Sequence, residues 1–145
     1  MIRSRSGLPR TVFVDTSAFY ATTDRASNDT SSVRRILARL IDDQVQLVTT
    51  NFVVAELHAL LLSRGNRHVA LTTVQELRLS PSLTIERVNE LDEERAWEII
   101  ERYDDKDFAF ADAASFAVME RLEIFAAVSL DRHFAQFGWT IISEP

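Results

Sequence analysis

The chain has 145 residues and no cysteine, which excludes a disulfide scaffold, a thiolate zinc site and a cysteine nucleophile. It has only three glycines and three prolines, and they form no low-complexity linker. No apolar run approaches the ~18 residues that a membrane span needs. Residues 1–9 carry Arg3 and Arg5 but no apolar core, so we expect a flexible tail rather than a secretory signal, and a cytoplasmic location.

Positive charge is also scarce, because 16 basic residues face 22 acidic ones and the net charge is -6. That sign disfavours a protein that coats nucleic acid, but it is compatible with an enzyme that has a local acidic site. The composition, 46% hydrophobic and 26% charged, is typical of a soluble globular chain. At this length we expect one domain, over residues 10–145.

Short apolar runs alternate with stretches of helical periodicity along the chain. Strands separated by helices indicate parallel β-α-β units with right-handed crossovers. The predicted fold is therefore an α/β, three-layer α/β/α sandwich with a short, mostly parallel central sheet. The predicted strands are 11–14, 45–48, 83–88, 124–128 and 139–142, and the predicted helices are 30–42, 51–63, 66–79, 90–103, 110–122 and a short one between the last two strands.

Two helix boundaries carry sequence signals. Asp29 or Thr30 is expected to cap the helix over 30–42, because short polar side chains accept hydrogen bonds from the free amides of a first turn. Gly65 is expected to close the helix over 51–63.

Four carboxylates stand in apolar surroundings. Asp15 directly follows the first strand, Asp131 follows the fourth, Glu56 lies on the margin of the apolar face of the second helix, and Asp112 lies in the first turn of a mostly apolar helix. The carboxyl ends of parallel strands and the starts of the following helices face one edge of a sheet. We therefore expect the four side chains to converge there.

The convergence matters because each aspartate alone is better explained as a helix N-cap, and Glu56 equally well as an ordinary rim residue. Several carboxylates in one pocket would raise one another's pKa unless a cation compensates their charge. With oxygen ligands and no cysteine, the cation indicated is Mg²⁺ or Mn²⁺. Such a site suits metal-dependent hydrolysis of a phosphate ester.

Four segments spread over about 11–142 resemble, in order and spacing, the PIN-domain proteins of the VapC type, which are the toxins of type II toxin-antitoxin pairs. This resemblance implies a Mg²⁺-dependent endoribonuclease, usually dimeric, inhibited by a small antitoxin that inserts into a groove beside the site. The segments are Val12-Phe13-Val14-Asp15-Thr16-Ser17-Ala18, Thr50-Asn51-Phe52-Val53-Val54-Ala55-Glu56-Leu57, Phe110-Ala111-Asp112-Ala113-Ala114-Ser115-Phe116 and Ser129-Leu130-Asp131-Arg132-His133-Phe134.

The resemblance also implies roles for single residues. Matched position by position, Asp15, Glu56 and Asp112 are the core metal-site carboxylates and Asp131 fills the fourth acidic position, which varies most in the family. Polar residues beside the first and fourth acids are expected to orient them, namely Thr16, Ser17 and Ser129.

Other functions and residues remain open. The alternatives are a non-catalytic α/β interaction domain and a stand-alone PIN nuclease without antitoxin. A phospho-acceptor receiver domain is disfavoured, because Thr16 follows Asp15 and no lysine lies beyond Lys106. His133 is expected to be structural rather than a general base.

Two further sets of residues have competing interpretations. Phe19, Tyr20 and the apolar side of 33–41 form either a docking surface or core. Five arginines are interpreted either as a solvated face or as contacts for RNA phosphates: Arg34, Arg35, Arg39, Arg64 and Arg67.

Overall fold

Five short strands form a parallel sheet at the centre of the molecule, in a computed structural model that describes residues 7–23 and 28–144. The side chains of Asn28 and Asp29 lie outside that description. The strand order is β3-β2-β1-β4-β5, and each neighbouring pair is parallel. The strands are β1 (Thr11–Val14), β2 (Gln46–Thr50), β3 (Leu83–Glu86), β4 (Ala126–Val128) and β5 (Thr140–Ile141).

Helices cover both faces of this sheet. The crossovers from β1 through β2 to β3 run in one direction, and those from β3 through β4 to β5 run back, so right-handed connections place α1–α4 on one face and α5–α7 on the other. The helices are α1 (Thr16–Thr23), α2 (Asn28–Asp42), α3 (Asn51–Arg64), α4 (Arg67–Leu79), α5 (Glu90–Arg102), α6 (Phe110–Arg121) and α7 (Arg132–Phe137). The predicted three-layer sandwich is confirmed. No helix in the described ranges is long and apolar enough to cross a bilayer.

The first helical layer differs from the prediction at its start. The chain turns into α1 directly after Asp15, a helix that the periodicity does not predict because it has only eight residues and lacks a polar face. The helix α2 begins at Asn28, two residues earlier than expected. Thr30 therefore lies inside α2, where its hydroxyl donates to the Ala21 carbonyl at 2.6 Å and links α2 to α1. The alternative cap, Asp29, lies outside the described side chains.

Part of the predicted tail over 1–9 belongs to the packed structure. Leu8 packs against the core and Pro9 is buried next to β1. Residues 1–6 lie outside the described ranges, so a flexible tail remains a prediction for them. At the other boundary with a sequence signal, the Gly65 amide donates to the Leu61 carbonyl at 2.8 Å and closes α3, as predicted.

The apolar side of α2 is core rather than a docking surface. Phe19 is only 6% exposed, and Val33, Ile36 and Leu40 are buried with it in the same cluster. Tyr20 is half-buried, with the Arg64 guanidinium 5.8 Å from its ring centroid. The core interpretation is therefore confirmed for Phe19, Val33, Ile36 and Leu40, whereas Ile41 at the end of the same face is 44% exposed.

An aromatic cluster fixes α6 against α7. Phe116 is fully buried on α6, and its ring centroid lies 5.0 Å from Phe134 and 4.6 Å from Phe137 on α7. Phe108 contacts the same ring edge-on at 5.2 Å. The cluster sets where the N-terminus of α6 lies relative to that of α7.

Replacing the hub of this cluster is expected to be costly. Phe116→Ala should lower the free energy of unfolding by about 3–5 kcal/mol, because it removes a buried ring and leaves a cavity. Phe125→Ala is the matched control, since that ring is 45% exposed and should lose far less. Urea unfolding followed by circular dichroism measures both. Equal losses in the two variants would contradict the central role of Phe116.

Candidate metal centre

The carboxyl ends of β1 and β4 bring two of the predicted acids to one edge of the sheet. The pair is in register through Val14 and Val128, and the Asp15 amide continues the ladder by donating to the Val128 carbonyl at 3.1 Å. Asp131 follows three residues later and caps α7, with one carboxylate oxygen accepting from the His133 amide at 2.9 Å. Parallel pairing thus places Asp15 and the start of α7 side by side.

Asp15 is held by hydroxyl groups from both strand ends. It is 5% exposed, and its Oδ2 accepts from the Ser17 hydroxyl at 2.8 Å and from the Ser129 hydroxyl at 3.1 Å. The same hydroxyls also accept backbone amides, Leu130 to Ser17 at 2.9 Å and Asp131 to Ser129 at 3.0 Å. The hydroxyls of Ser17 and Ser129 therefore hold one oxygen of the Asp15 carboxylate and link the two loops.

Asp112 reaches the same edge from α6. Its Oδ2 lies 2.9 Å from His133 Nδ1, and its side chain is 13% exposed. A longer contact of 3.4 Å joins the same oxygen to the Ala109 amide before the helix. His133 Nδ1 lies 3.4 Å from Asp131 Oδ1, so one imidazole stands between two of the carboxylates.

Glu56 reaches the edge from the second turn of α3. Thr50, the last residue of β2, caps that helix by accepting the Val53 amide at 3.1 Å, so α3 begins directly at the carboxyl end of β2. The Glu56 carboxylate is the exposed member of the group. The buried Thr16 hydroxyl faces it and lowers its pKa, yet finds no well-formed hydrogen bond within the described part of the chain.

Burial and mutual repulsion raise the pKa of three of these acids. For Asp15, burial is the main cause, opposed by the Ser17 hydrogen bond and reinforced by the charge of Asp112. For Asp112, burial raises the pKa, the contact with His133 lowers it, and the charge of Asp131 raises it further. For Glu56, partial desolvation comes first, followed by the charges of Asp15 and Asp112. The charges of Asp15, Asp112 and Asp131 therefore each raise the pKa of at least one of these three acids.

This donor set fits a hard divalent cation. It offers carboxylate and hydroxyl oxygens, which Mg²⁺ and Mn²⁺ prefer, and a positive ion there would offset the repulsion that raises the three pKa values. Asp112, Asp131 and His133 each offer a ligand atom within 4.8 Å of the others. The Thr16 hydroxyl is a buried polar group next to the same carboxylates with no partner in the described ranges.

Residues 12–139 match the PIN domain family. This chain belongs to it. The 23S rRNA-specific endonuclease VapC20 of Mycobacterium tuberculosis is 33% identical over 128 residues, covering 88% of this chain and 95% of that protein. Ribonuclease VapC26 of the same organism is 30% identical over 125 residues, covering 86% and 90%. The prediction of a PIN-domain nuclease of the VapC type is confirmed.

Solved structures agree with this PIN-domain assignment. The crystal structure of Mycobacterium tuberculosis VapC20, described as a sarcin-ricin loop cleaving toxin, matches with a TM-score of 0.84 at 30% identity and covers 92% of this chain and 99% of that one. FitAcB from Neisseria gonorrhoeae matches at 0.69 with 18% identity, covering 91% and 96%. VapBC2 from Rickettsia felis, bound to a promoter DNA fragment, matches at 0.69 with 11% identity, covering 91% and 97%. The last two show the fold alone.

The contact of His133 with the central acids is the feature of this PIN domain that the sequence does not predict. The sequence identifies His133 as structural, because a lone histidine near a helix start is usually so. Its spacing could have indicated a position close to Asp131, because His133 lies two residues after that acid, in the first turn of α7. Contact with Asp112 depends on how α6 packs on α7.

The predicted arginines do not form one patch with common surroundings. Arg34 donates to the Thr22 carbonyl, Arg35 pairs with Glu144, and Arg64 lies over Tyr20. Arg39 and Arg67 are exposed. A role in RNA binding remains a prediction for each of them.

The raised pKa values predict how the metal-free protein responds to pH. A carboxyl whose folded pKa lies above its unfolded value destabilises the fold increasingly as pH rises through that interval. Asp15→Asn removes one such charge, so in EDTA at pH 7 it should raise the melting temperature by about 2–4 °C per kcal/mol gained. The gain should shrink as pH falls through the raised pKa of Asp15, because the parent side chain then becomes neutral as well.

The matched control is Asp104→Asn, which neutralises an exposed aspartate outside the centre. Thermal melts of both variants and the parent over pH 4–8 provide the comparison. A melting temperature for Asp15→Asn at or below that of the parent at pH 7 would contradict the repulsion.

Proposed function

We propose that this PIN domain hydrolyses RNA phosphodiester bonds with Mg²⁺ or Mn²⁺ held by Asp15, Glu56 and Asp112, with Asp131 as the fourth acidic contributor. The observation that carries the proposal is the meeting of these carboxylates at one sheet edge, where burial and repulsion raise the pKa of three of them. A fold that gains nothing from a bound cation has no reason to maintain such an arrangement.

The surrounding residues support the proposal through orientation. Ser17 and Ser129 hold one oxygen of Asp15, so this buried carboxylate presents a fixed face to the centre. Asp112 is held by the packing of α6, and Asp131 by its bond to the start of α7. A divalent ion bound there would lower the pKa of a water molecule and would offset the negative charge of the RNA phosphate. The chain's own part is to bring the carboxylates together and to orient them.

RNA is the substrate that the relatives support. VapC20 is named a 23S rRNA-specific endonuclease, and VapC26 a ribonuclease. Both alignments span nearly the full length of the relative, and VapC20 also matches in structure with a TM-score of 0.84. We therefore infer RNA for this chain too, with ribosomal RNA as the first substrate to test.

The partners follow from the family resemblance. We infer a cognate antitoxin that covers the centre, a homodimer and a cytoplasmic location. The VapC-type relatives support the toxin role, and the chain is acidic overall, so a nuclease of this charge relies on local contacts to bind RNA. A stand-alone nuclease without antitoxin differs only in lacking that partner.

One observation favours a second candidate, a non-catalytic interaction domain whose acids serve as caps. Asp131 does cap α7, and Asp112 does contact a backbone amide before α6. Asp15 Oδ2 also lies 3.4 Å from the Ser17 amide in the first turn of α1. Capping does not explain why Asp15 is buried, and Glu56 lies in the second turn of α3, where it caps no helix. Response to a divalent cation separates the two functions.

Removal of one central carboxylate should abolish cleavage. Asp112→Asn is expected to lower the cleavage rate of total cellular RNA by more than about 100-fold, since even the loss of an outer-shell partner of a metal costs 10–100-fold. EDTA should abolish cleavage by the parent, and Mg²⁺ or Mn²⁺ should restore it. Cleavage is followed by gel electrophoresis with mapping of the cut sites.

The control for this assay is Asp104→Asn, purified in the same way and expected to cleave like the parent. Activity in the Asp112→Asn preparation equal to that of the parent would show that cleavage arises from another site or from a contaminant.

Divalent cations should also stabilise the fold. At a Mg²⁺ concentration of about 100 times the dissociation constant, a native-state site adds about 2.7 kcal/mol to the free energy of unfolding. Thermal melts of the parent in Mg²⁺ and Mn²⁺ should therefore shift upward, and those of Asp112→Asn should shift much less. An unchanged melting temperature for the parent at millimolar Mg²⁺ and Mn²⁺ would favour the capping interpretation.

A further inference from the structure

His133 brings a nitrogen donor into a centre otherwise made of oxygens. Its Nδ1 lies 2.9 Å from Asp112 Oδ2 and 3.4 Å from Asp131 Oδ1. One ligand atom from each of the three residues falls within 4.8 Å of the others. The imidazole therefore reaches both carboxylates at once.

The separations match those between neighbouring ligands of one small cation. Metal–ligand bonds of about 2.1 Å at right angles place adjacent donor atoms about 3.0 Å apart. The two nitrogen–oxygen distances, 2.9 and 3.4 Å, are close to this edge length. A bound ion would displace the proton of the hydrogen bond that joins His133 to Asp112.

The imidazole is also held in position before any ion arrives. The His133 amide donates to Asp131 Oδ1 at 2.9 Å. This bond fixes His133 next to Asp131, the acid with which it would share the ion. Phe108 contacts the ring edge-on at 5.4 Å, and the His133 side chain is only 17% exposed. Little side-chain entropy is then lost on binding.

We propose that His133 Nδ1 is a direct ligand of the divalent ion, together with Asp112 and Asp131, and that the centre therefore binds Mn²⁺ in preference to Mg²⁺. The inference rests on the proposed function for the presence of an ion. Mg²⁺ takes oxygen ligands and keeps its waters, whereas Mn²⁺ also prefers oxygen but, as a first-row transition-metal ion, accepts an imidazole nitrogen more readily. A centre of oxygens alone would discriminate less.

Pulsed electron paramagnetic resonance of the Mn²⁺-loaded chain tests this directly, because a bound imidazole couples its ¹⁴N nucleus to the Mn²⁺ electrons. We expect that coupling in the parent and its loss in His133→Asn, whose amide can still donate a hydrogen bond to Asp112. The control is His68→Asn, which removes an exposed histidine on α4 and should keep the coupling. The chain has three histidines, so a His58→Asn, His68→Asn double variant carries the test even if His133→Asn fails to fold.

Calorimetric titration supplies a second measure. The parent should bind Mn²⁺ more tightly than Mg²⁺. His133→Asn should reduce the ratio of the Mg²⁺ to the Mn²⁺ dissociation constant by about tenfold or more, mainly because it weakens the binding of Mn²⁺. Mn²⁺ bound without nitrogen coupling, or with the coupling retained in His133→Asn, would overturn the inference and leave the oxygen-ligated centre standing. A parent that binds neither ion would overturn the inference and the metal-dependent function together.

Discussion

Repulsion between carboxylates at one edge of the sheet is the constraint on which the rest of this structure depends. Asp15 is buried there and the charge of Asp112 raises its pKa further, while the charges of Asp15 and Asp112 raise the pKa of Glu56. Two serine hydroxyls offset part of the cost of ionising Asp15. The rest of the cost of ionising these acids remains in the metal-free protein. A bound hard cation would offset it, because its positive charge neutralises the repulsion.

A comparison with Asp92 shows that burial alone does not create this situation. Asp92 is 3% exposed, and burial raises its pKa, but hydrogen bonds from Arg121 and Asn89 outweigh that effect and leave the pKa lowered. Arg121 donates to both Asp92 oxygens at 2.9 Å, so the pair ties α5 to α6. The Asp92–Arg121 pair therefore stabilises the packing of α5 on α6. In the described ranges, the acids of the centre have no arginine partner of this kind and face one another instead.

The positions of the central acids could be predicted from local signals. Asp15 ends an apolar run, Asp112 interrupts one, and parallel β-α-β topology sends both to the same edge. The eight-residue α1 escaped prediction because it is too short for a periodic signal, and its last turn is closed by Thr22 and Thr23 hydroxyls that bond to carbonyls within the helix. Phe19 was ambiguous for a related reason, because an apolar helix face looks the same whether it meets the core or a partner.

By itself, the sequence determined the layer architecture, the edge of the sheet that carries the centre and the four acids that meet there. Each of these follows from spacing along the chain, since strand ends and helix starts are local features whose direction parallel topology fixes. Only the tertiary structure decided that His133 stands between Asp112 and Asp131, and that the hydroxyl of Ser129, which precedes the fourth acid in the sequence, reaches across to Asp15. Those contacts join residues up to 114 positions apart, and their distances depend on how Phe116 packs α6 against α7. Packing of that kind is set by the shapes of many side chains together, which no local pattern records.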